Sequence, residues 1–123
     1  MDTYGKEVIL DLHGCSQAPF SRKFLTEYFM SLCDHIDMER EDLHFWDYED
    51  DPDGYAAAEP HLKGISAVQF IKTSNITIHS LDELKQVYLN IFSCKDFDPV
   101  FVREFSEHYF GGTAVTYQVV DRK

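Results

Sequence analysis

Cysteine is scarce in this sequence: Cys15, Cys33 and Cys94 are odd in number and show no CxxC spacing. That excludes a disulfide framework and offers no zinc-finger pattern. Cys33-Asp34-His35 could be drawn as a metal pair, but it lies within a helical pattern and no second pair completes it, so no metal is expected. Basic residues are also few, with 11 Lys and Arg against 22 Asp and Glu and a formal net charge of −11. Such a chain repels phosphate backbones, which argues against nucleic acid as a partner. An acidic field suits a cationic ligand, although acidity also serves solubility alone. No apolar run is long enough to span a bilayer, so no membrane partner is expected. No repeat, low-complexity segment or linker interrupts the 123 residues, which predicts a single domain, 1–123. Met1-Asp2-Thr3-Tyr4-Gly5-Lys6 carries neither the basic region nor the apolar segment of a secretory signal, and the chain reads as cytoplasmic.

What the sequence does hold is a succession of clear periods. Residues 7–13 alternate and stop at Gly14, a first strand. Pro19 and Ser21 introduce a helix whose apolar positions Leu25, Tyr28, Phe29, Leu32, Cys33 and Ile36 share one face, a core stripe. Residues 43–48, LHFWDY, read as a second strand. Residues 49–61, with Asp51-Pro52-Asp53-Gly54 as a turn signal, read as a surface loop with a short helical piece around 56–58. Asp98 caps a last helix that has Pro99 at its first position, Phe101, Val102, Phe105 and Tyr109 at helical spacing, and a stop at Gly111-Gly112. Residues 113–120 form a final strand. Short central connections favour antiparallel neighbours. The expected fold is α+β, a two-layer sandwich of a mainly antiparallel sheet with helices on one face.

The chemistry concentrates in residues 64–94, GISAVQFIKTSNITIHSLDELKQVYLNIFSC, read as strand, sharp junction, strand, turn, strand. Ser74 lies between the apolar run 65–71 and the alternating run 75–79, where a hydroxyl is well placed to attack a backbone carbonyl. Taken singly, Ser66 is a strand residue, His79 caps a turn, Cys94 is a small buried residue and Glu83 a solvated turn residue. Residues 74 and 79 differ by five, so a regular strand puts them on opposite faces. The expectation is therefore that Ser74 lies outside the regular pleat.

Taken jointly, Gly64-Ile65-Ser66-Ala67, Thr73-Ser74-Asn75, His79, Ser80-Leu81-Asp82-Glu83 and Cys94 stand at the intervals found in the prokaryotic, pyruvoyl-dependent S-adenosylmethionine decarboxylases, and the stretch resembles the core of that family. A fainter match, Gly5 and then Leu10-Asp11-Leu12-His13-Gly14-Cys15, extends the resemblance over most of the chain. The departures are Thr73 where the family has Glu, Asn75 where it usually has His, and Leu81-Asp82 where it has Trp-Pro. The resemblance implies self-cleavage at Thr73-Ser74, a pyruvoyl group derived from Ser74, and decarboxylation of S-adenosylmethionine for spermidine synthesis. It implies that Cys94 supplies a proton, that Ser66 and His79 assist self-processing, that Glu83 binds ribose hydroxyls, and that the protein is a homodimer with sites near the subunit interface. Two alternatives stay open: a pyruvoyl-dependent arginine or ornithine decarboxylase, and an uncleaved regulatory or binding relative.

Overall fold

The computed structural model describes residues 3–123. Met1 and Asp2, on which part of the reading of the N-terminus rests, lie outside the described residues. The chain runs through β1 (Gly5–His13), α1 (Arg22–His35), β2 (Arg40–Trp46), α2 (Pro52–Ala57), a 3-10 turn (Pro60–Leu62), β3 (Gly64–Ile71), β4 (Ser74–Leu81), β5 (Gln86–Ser93), α3 (Pro99–Phe110) and β6 (Thr113–Arg122). The helix ends follow from local chemistry. The Ser21 hydroxyl accepts from the Phe24 N–H at the start of α1, and the Asp98 carboxylate accepts from the Val100 N–H at the start of α3. Both satisfy N–H groups that the first turn leaves without partners. Gly111, at φ +69, closes α3 in the left-handed conformation that glycine adopts without steric cost. The stretch expected to be a turn at Asp51-Pro52-Asp53-Gly54 instead opens α2. Asp51 accepts from the Gly54 N–H and Pro52 takes the first helical position, so turn residues served as a cap.

The six strands form one antiparallel sheet in the order β2-β3-β4-β5-β1-β6. β5 and β6 both flank β1, so they run the same way and α3 carries the chain over a face of the sheet to join them. β1 and β2 also run alike, and α1 makes that longer crossing. Both helices lie on the same face, where Leu10, Leu12, Ile76, Ile78 and Ile91 of the sheet meet Leu25, Phe29, Leu32 and Phe110. All of these are fully buried, and each contributes about 1.5 to 3 kcal/mol by leaving water. Tyr28 also lies in this core, its hydroxyl 2.7 Å from that of Ser106, and burial pushes the phenol well above its ordinary value. Gln69 is the largest of the polar residues buried on this face. It is buried with its amide N–H groups on the carbonyls of Glu41, Asp42 and Phe70, while its oxygen accepts from Arg40. It thereby satisfies backbone groups left over where the β2 register slips between Arg40 and Leu43.

The other face of the sheet carries neither α1 nor α3. Alternation places Ser66 and Phe70 of β3 and His79 of β4 on it, beside Trp46 of β2. Trp46 is 63% and Phe70 46% exposed.

Candidate functional site

Lys72 and Thr73 make the two-residue turn between β3 and β4, with Ile71 paired to Ser74 across it. Thr73 sits at φ +61, a left-handed conformation that is strained for a β-branched residue. Ser74 is the first residue of β4 and belongs to the regular pleat, its side chain turned toward the helix-covered face and 8% exposed. This corrects the expectation that Ser74 leaves the pleat. The strain lies one residue earlier, and the ladder pairs Ser74 normally.

Cys94 follows β5 directly and meets this turn. Its N–H donates to Ser74 Oγ at 3.3 Å, and its Sγ lies 3.1 Å from Thr73 Oγ1. The Thr73 hydroxyl also reaches the Lys72 carbonyl at 2.6 Å. Its single proton serves the carbonyl while the sulfur is a thiol and can turn to the sulfur when it is a thiolate. The Thr73 contact, opposed by desolvation and helped by Tyr4 and Ser74, holds the Cys94 thiol below its ordinary value. By contrast, burial pushes Cys15 and Cys33 up to about 11, and both are inert packing. Cys94 is only partly buried, not the small buried residue that it reads as when taken singly.

Ser66 and His79 form a second group. They are register partners across β3 and β4, and Ser66 Oγ lies 2.8 Å from His79 Nδ1. Both are inside strands and not at junctions, so His79 caps no turn. Gly64 makes this pairing possible: a Cβ there would stand 1.8 Å from the Ser80 carbonyl oxygen, so any side chain would force β3 off β4. Beside the pair opens a cleft of about 490 Å³ whose walls include Trp46, Tyr48, His61 and Tyr88. In the β4–β5 turn, Glu83 accepts from Lys63 Nζ at 3.0 Å, and its neighbour Asp82 is held by the Phe20 N–H and the Tyr55 hydroxyl. Burial first, and then Asp82, push the Tyr55 phenol up to about 12.

The predicted residues thus fall into two groups. Thr73, Ser74 and Cys94 come together at one end of β4, while Ser66, His79 and Glu83 lie toward the other. His79 stands five residue steps along the strand from Ser74, about 16 Å at the usual rise, and the two side chains leave opposite faces. Sequence reasoning missed Tyr4, whose ring stacks on Phe92 two residues before Cys94, and Lys63, which donates to Glu83. No local pattern marks either, because both contacts exist only through strand pairing.

Fold and side chains together define a two-layer α/β sandwich that sets a serine directly after a strained hairpin turn, whose threonine meets a thiol. The family model for S-adenosylmethionine decarboxylase matches residues 6–123, nearly the whole of the chain, which therefore belongs to that family. A search of curated proteins found no match. Membership brings decarboxylation as the class of activity and S-adenosylmethionine as the family's substrate. Among the described residues no helix is long and apolar enough to cross a membrane.

Proposed function

We propose that the chain is a self-processing, pyruvoyl-dependent decarboxylase that acts on S-adenosylmethionine in spermidine synthesis, as a cytoplasmic homodimer. The observation that carries this reading is the Thr73-Ser74 turn, where a nucleophilic hydroxyl directly follows a strained residue and rests against the Cys94 N–H. In the first step Ser74 Oγ bonds to the Thr73 carbonyl carbon, the Thr73-Ser74 C–N bond breaks, and the hydroxyl proton passes to the freed nitrogen, leaving an ester. Loss of the residue 74 α-proton then breaks the Cβ–Oγ bond and releases Thr73 as a C-terminal carboxylate. Addition of water and departure of ammonia complete a ketone on the new N-terminus. Strain at Thr73 favours the first step because breaking the bond releases it. The surroundings fit a small ketone, since the Cys94 N–H and Sγ both face the Ser74 position. Once formed, the pyruvoyl group supplies the electron sink for loss of carbon dioxide.

The remaining roles belong to the chain's own side chains. Cys94 holds the proton that the substrate α-carbon takes up afterwards. Glu83 accepts hydrogen bonds from the ribose hydroxyls. Ser66 and His79 assist the self-processing step, yet within one protomer they lie about 16 Å from Ser74 and on the opposite face. A second copy on the uncovered sheet face brings His79 of the partner subunit to the exposed Thr73 side of the turn, so that the base meets the cleaved bond from the side opposite the Ser74 hydroxyl. The exposed Trp46 and Phe70 on that face give the contact an apolar component.

Denaturing mass spectrometry tests the proposal. After incubation the chain should appear as fragments 1–73 and 74–123, the second reacting with hydroxylamine and releasing carbon dioxide from S-adenosylmethionine. A single full-length mass under all conditions overturns it in favour of an uncleaved binding relative. Release from arginine or ornithine alone transfers the chemistry to a basic amino acid.

A further inference from the structure

Lysine side chains ordinarily extend into water, but that of Lys63 is only 14% exposed. The backbone fixes its root on both sides. Its N–H donates to the Pro60 carbonyl at 3.3 Å, at the end of the 3-10 turn. Its carbonyl accepts from the Asp82 N–H at 2.9 Å, one step beyond the pairing of Gly64 with Leu81. The ammonium then lies between two partners: Glu83 Oε1 at 3.0 Å and the Tyr55 ring, whose centroid is 5.3 Å away. The hydroxyl of the same ring donates to Asp82 Oδ2 at 2.9 Å, and the Phe20 N–H donates to Asp82 Oδ1 at 3.1 Å. Both acids of the β4–β5 turn are thereby engaged, Asp82 by two neutral donors and Glu83 by a cation.

We infer that Lys63 is a specificity-determining residue: its ammonium neutralises Glu83, which keeps an oxygen for an uncharged diol and turns away a guanidinium or ammonium. This rests on the ribose-binding role proposed for Glu83. A carboxylate accepts hydrogen bonds from hydroxyls and from cations alike. Glu83 alone therefore does not distinguish a nucleoside from the side chain of a basic amino acid. Charge makes the distinction. A second cation at Glu83 meets the repulsion of Lys63 at close range or has to displace it, whereas a hydroxyl meets neither cost. An ion pair this near the surface adds little to stability, so its effect is read in ligand preference and not in melting temperature.

Isothermal titration with two probes tests this: adenosine, a neutral diol, and agmatine, an alkyl guanidinium that carries no carboxylate. Lys63→Met keeps the alkyl stem against Tyr55 and removes the charge. Lys63→Gln keeps an uncharged donor for Glu83, and Lys63→Arg keeps the charge. The expected result is agmatine affinity raised roughly tenfold in Lys63→Met and Lys63→Gln, the worth of about one hydrogen bond to a charged group. Lys63→Arg should match wild type, the gain should vanish when Glu83→Gln is added to Lys63→Met, and adenosine affinity should rise by a smaller factor. Agmatine affinity unchanged in both uncharged variants overturns the inference. A gain that survives Glu83→Gln also overturns it, since another acid then holds the cation. Binding requires neither cleavage nor turnover. If adenosine and its 2′,3′-dideoxy analogue bind the wild-type protein equally, the ribose role of Glu83 fails, while the agmatine comparison still reads whether Lys63 screens that carboxylate.

Discussion

At the start of β4, Ser74 is 8% exposed behind a strained Thr73, its hydroxyl oxygen held by the Cys94 N–H. Farther along the same strand, His79 lies open on the face opposite α1 and α3 with Ser66 as its side-chain partner. The first region is preorganised: Ser74 Oγ and Cys94 Sγ each have a polar neighbour, and Thr73 holds a left-handed backbone conformation. The second is unfinished, with a base, a cleft and no reacting group in reach. One extended strand cannot bring them together, because its length and its alternation both separate them. The proposed homodimer is the arrangement that would bring two copies of the strand together.

The sharpest way to break this comparison is complementation. Ser74→Ala and His79→Ala should each fail to cleave when expressed alone. Expressed together, their mixed dimers contain one site with Ser74 from one chain and His79 from the other, so the His79→Ala chain should be cut. Intact masses of the mixture report this directly, and absence of any cut chain places both residues in one protomer's site.

Replacing Cys94 by Ala should leave cleavage and melting temperature nearly unchanged while reducing decarboxylation by about 100-fold or more, the usual weight of a positioned proton donor. A large fall in melting temperature with normal turnover would make Cys94 a packing residue and the preorganised end a purely structural one.

At the open end, Glu83→Gln should weaken the dependence of adenosine-analogue competition on the 2′ and 3′ hydroxyls by roughly tenfold, the loss of about one charge-assisted hydrogen bond. Lys63→Met should have a smaller opposite effect, because it frees the Glu83 oxygen now occupied by Lys63. Competition indifferent to the hydroxyls in the wild-type protein would remove Glu83 from substrate binding.

The smallest expected effect tests the stored strain. Thr73→Gly tolerates the left-handed turn, and relief of about 1 kcal/mol should raise the melting temperature if it exceeds the entropy that glycine adds to the unfolded chain. The same relief should slow self-cleavage. Cleavage at an unchanged rate would show that strain at residue 73 contributes nothing to bond breaking.

Local sequence determined the elements of this protein because their signals are local. The periods of β1, α1, β4 and α3, and the caps Ser21, Asp98 and Gly111, depend only on neighbouring residues, and they lie where the periodicity and turn chemistry predict. The opposite facing of residues 74 and 79 was legible too. Its meaning was not: the one-chain reading moved Ser74 out of the pleat, whereas strand pairing keeps it in and leaves the site divided. Tertiary structure alone decided the stacking of Tyr4 on Phe92 and the contact of Lys63 with Glu83. The register of β1 on β5, Lys6 against Ser93, joins points far apart in the chain. Such contacts leave no period in a sequence, since the free energy that makes them comes from burying the other face of the sheet under α1 and α3.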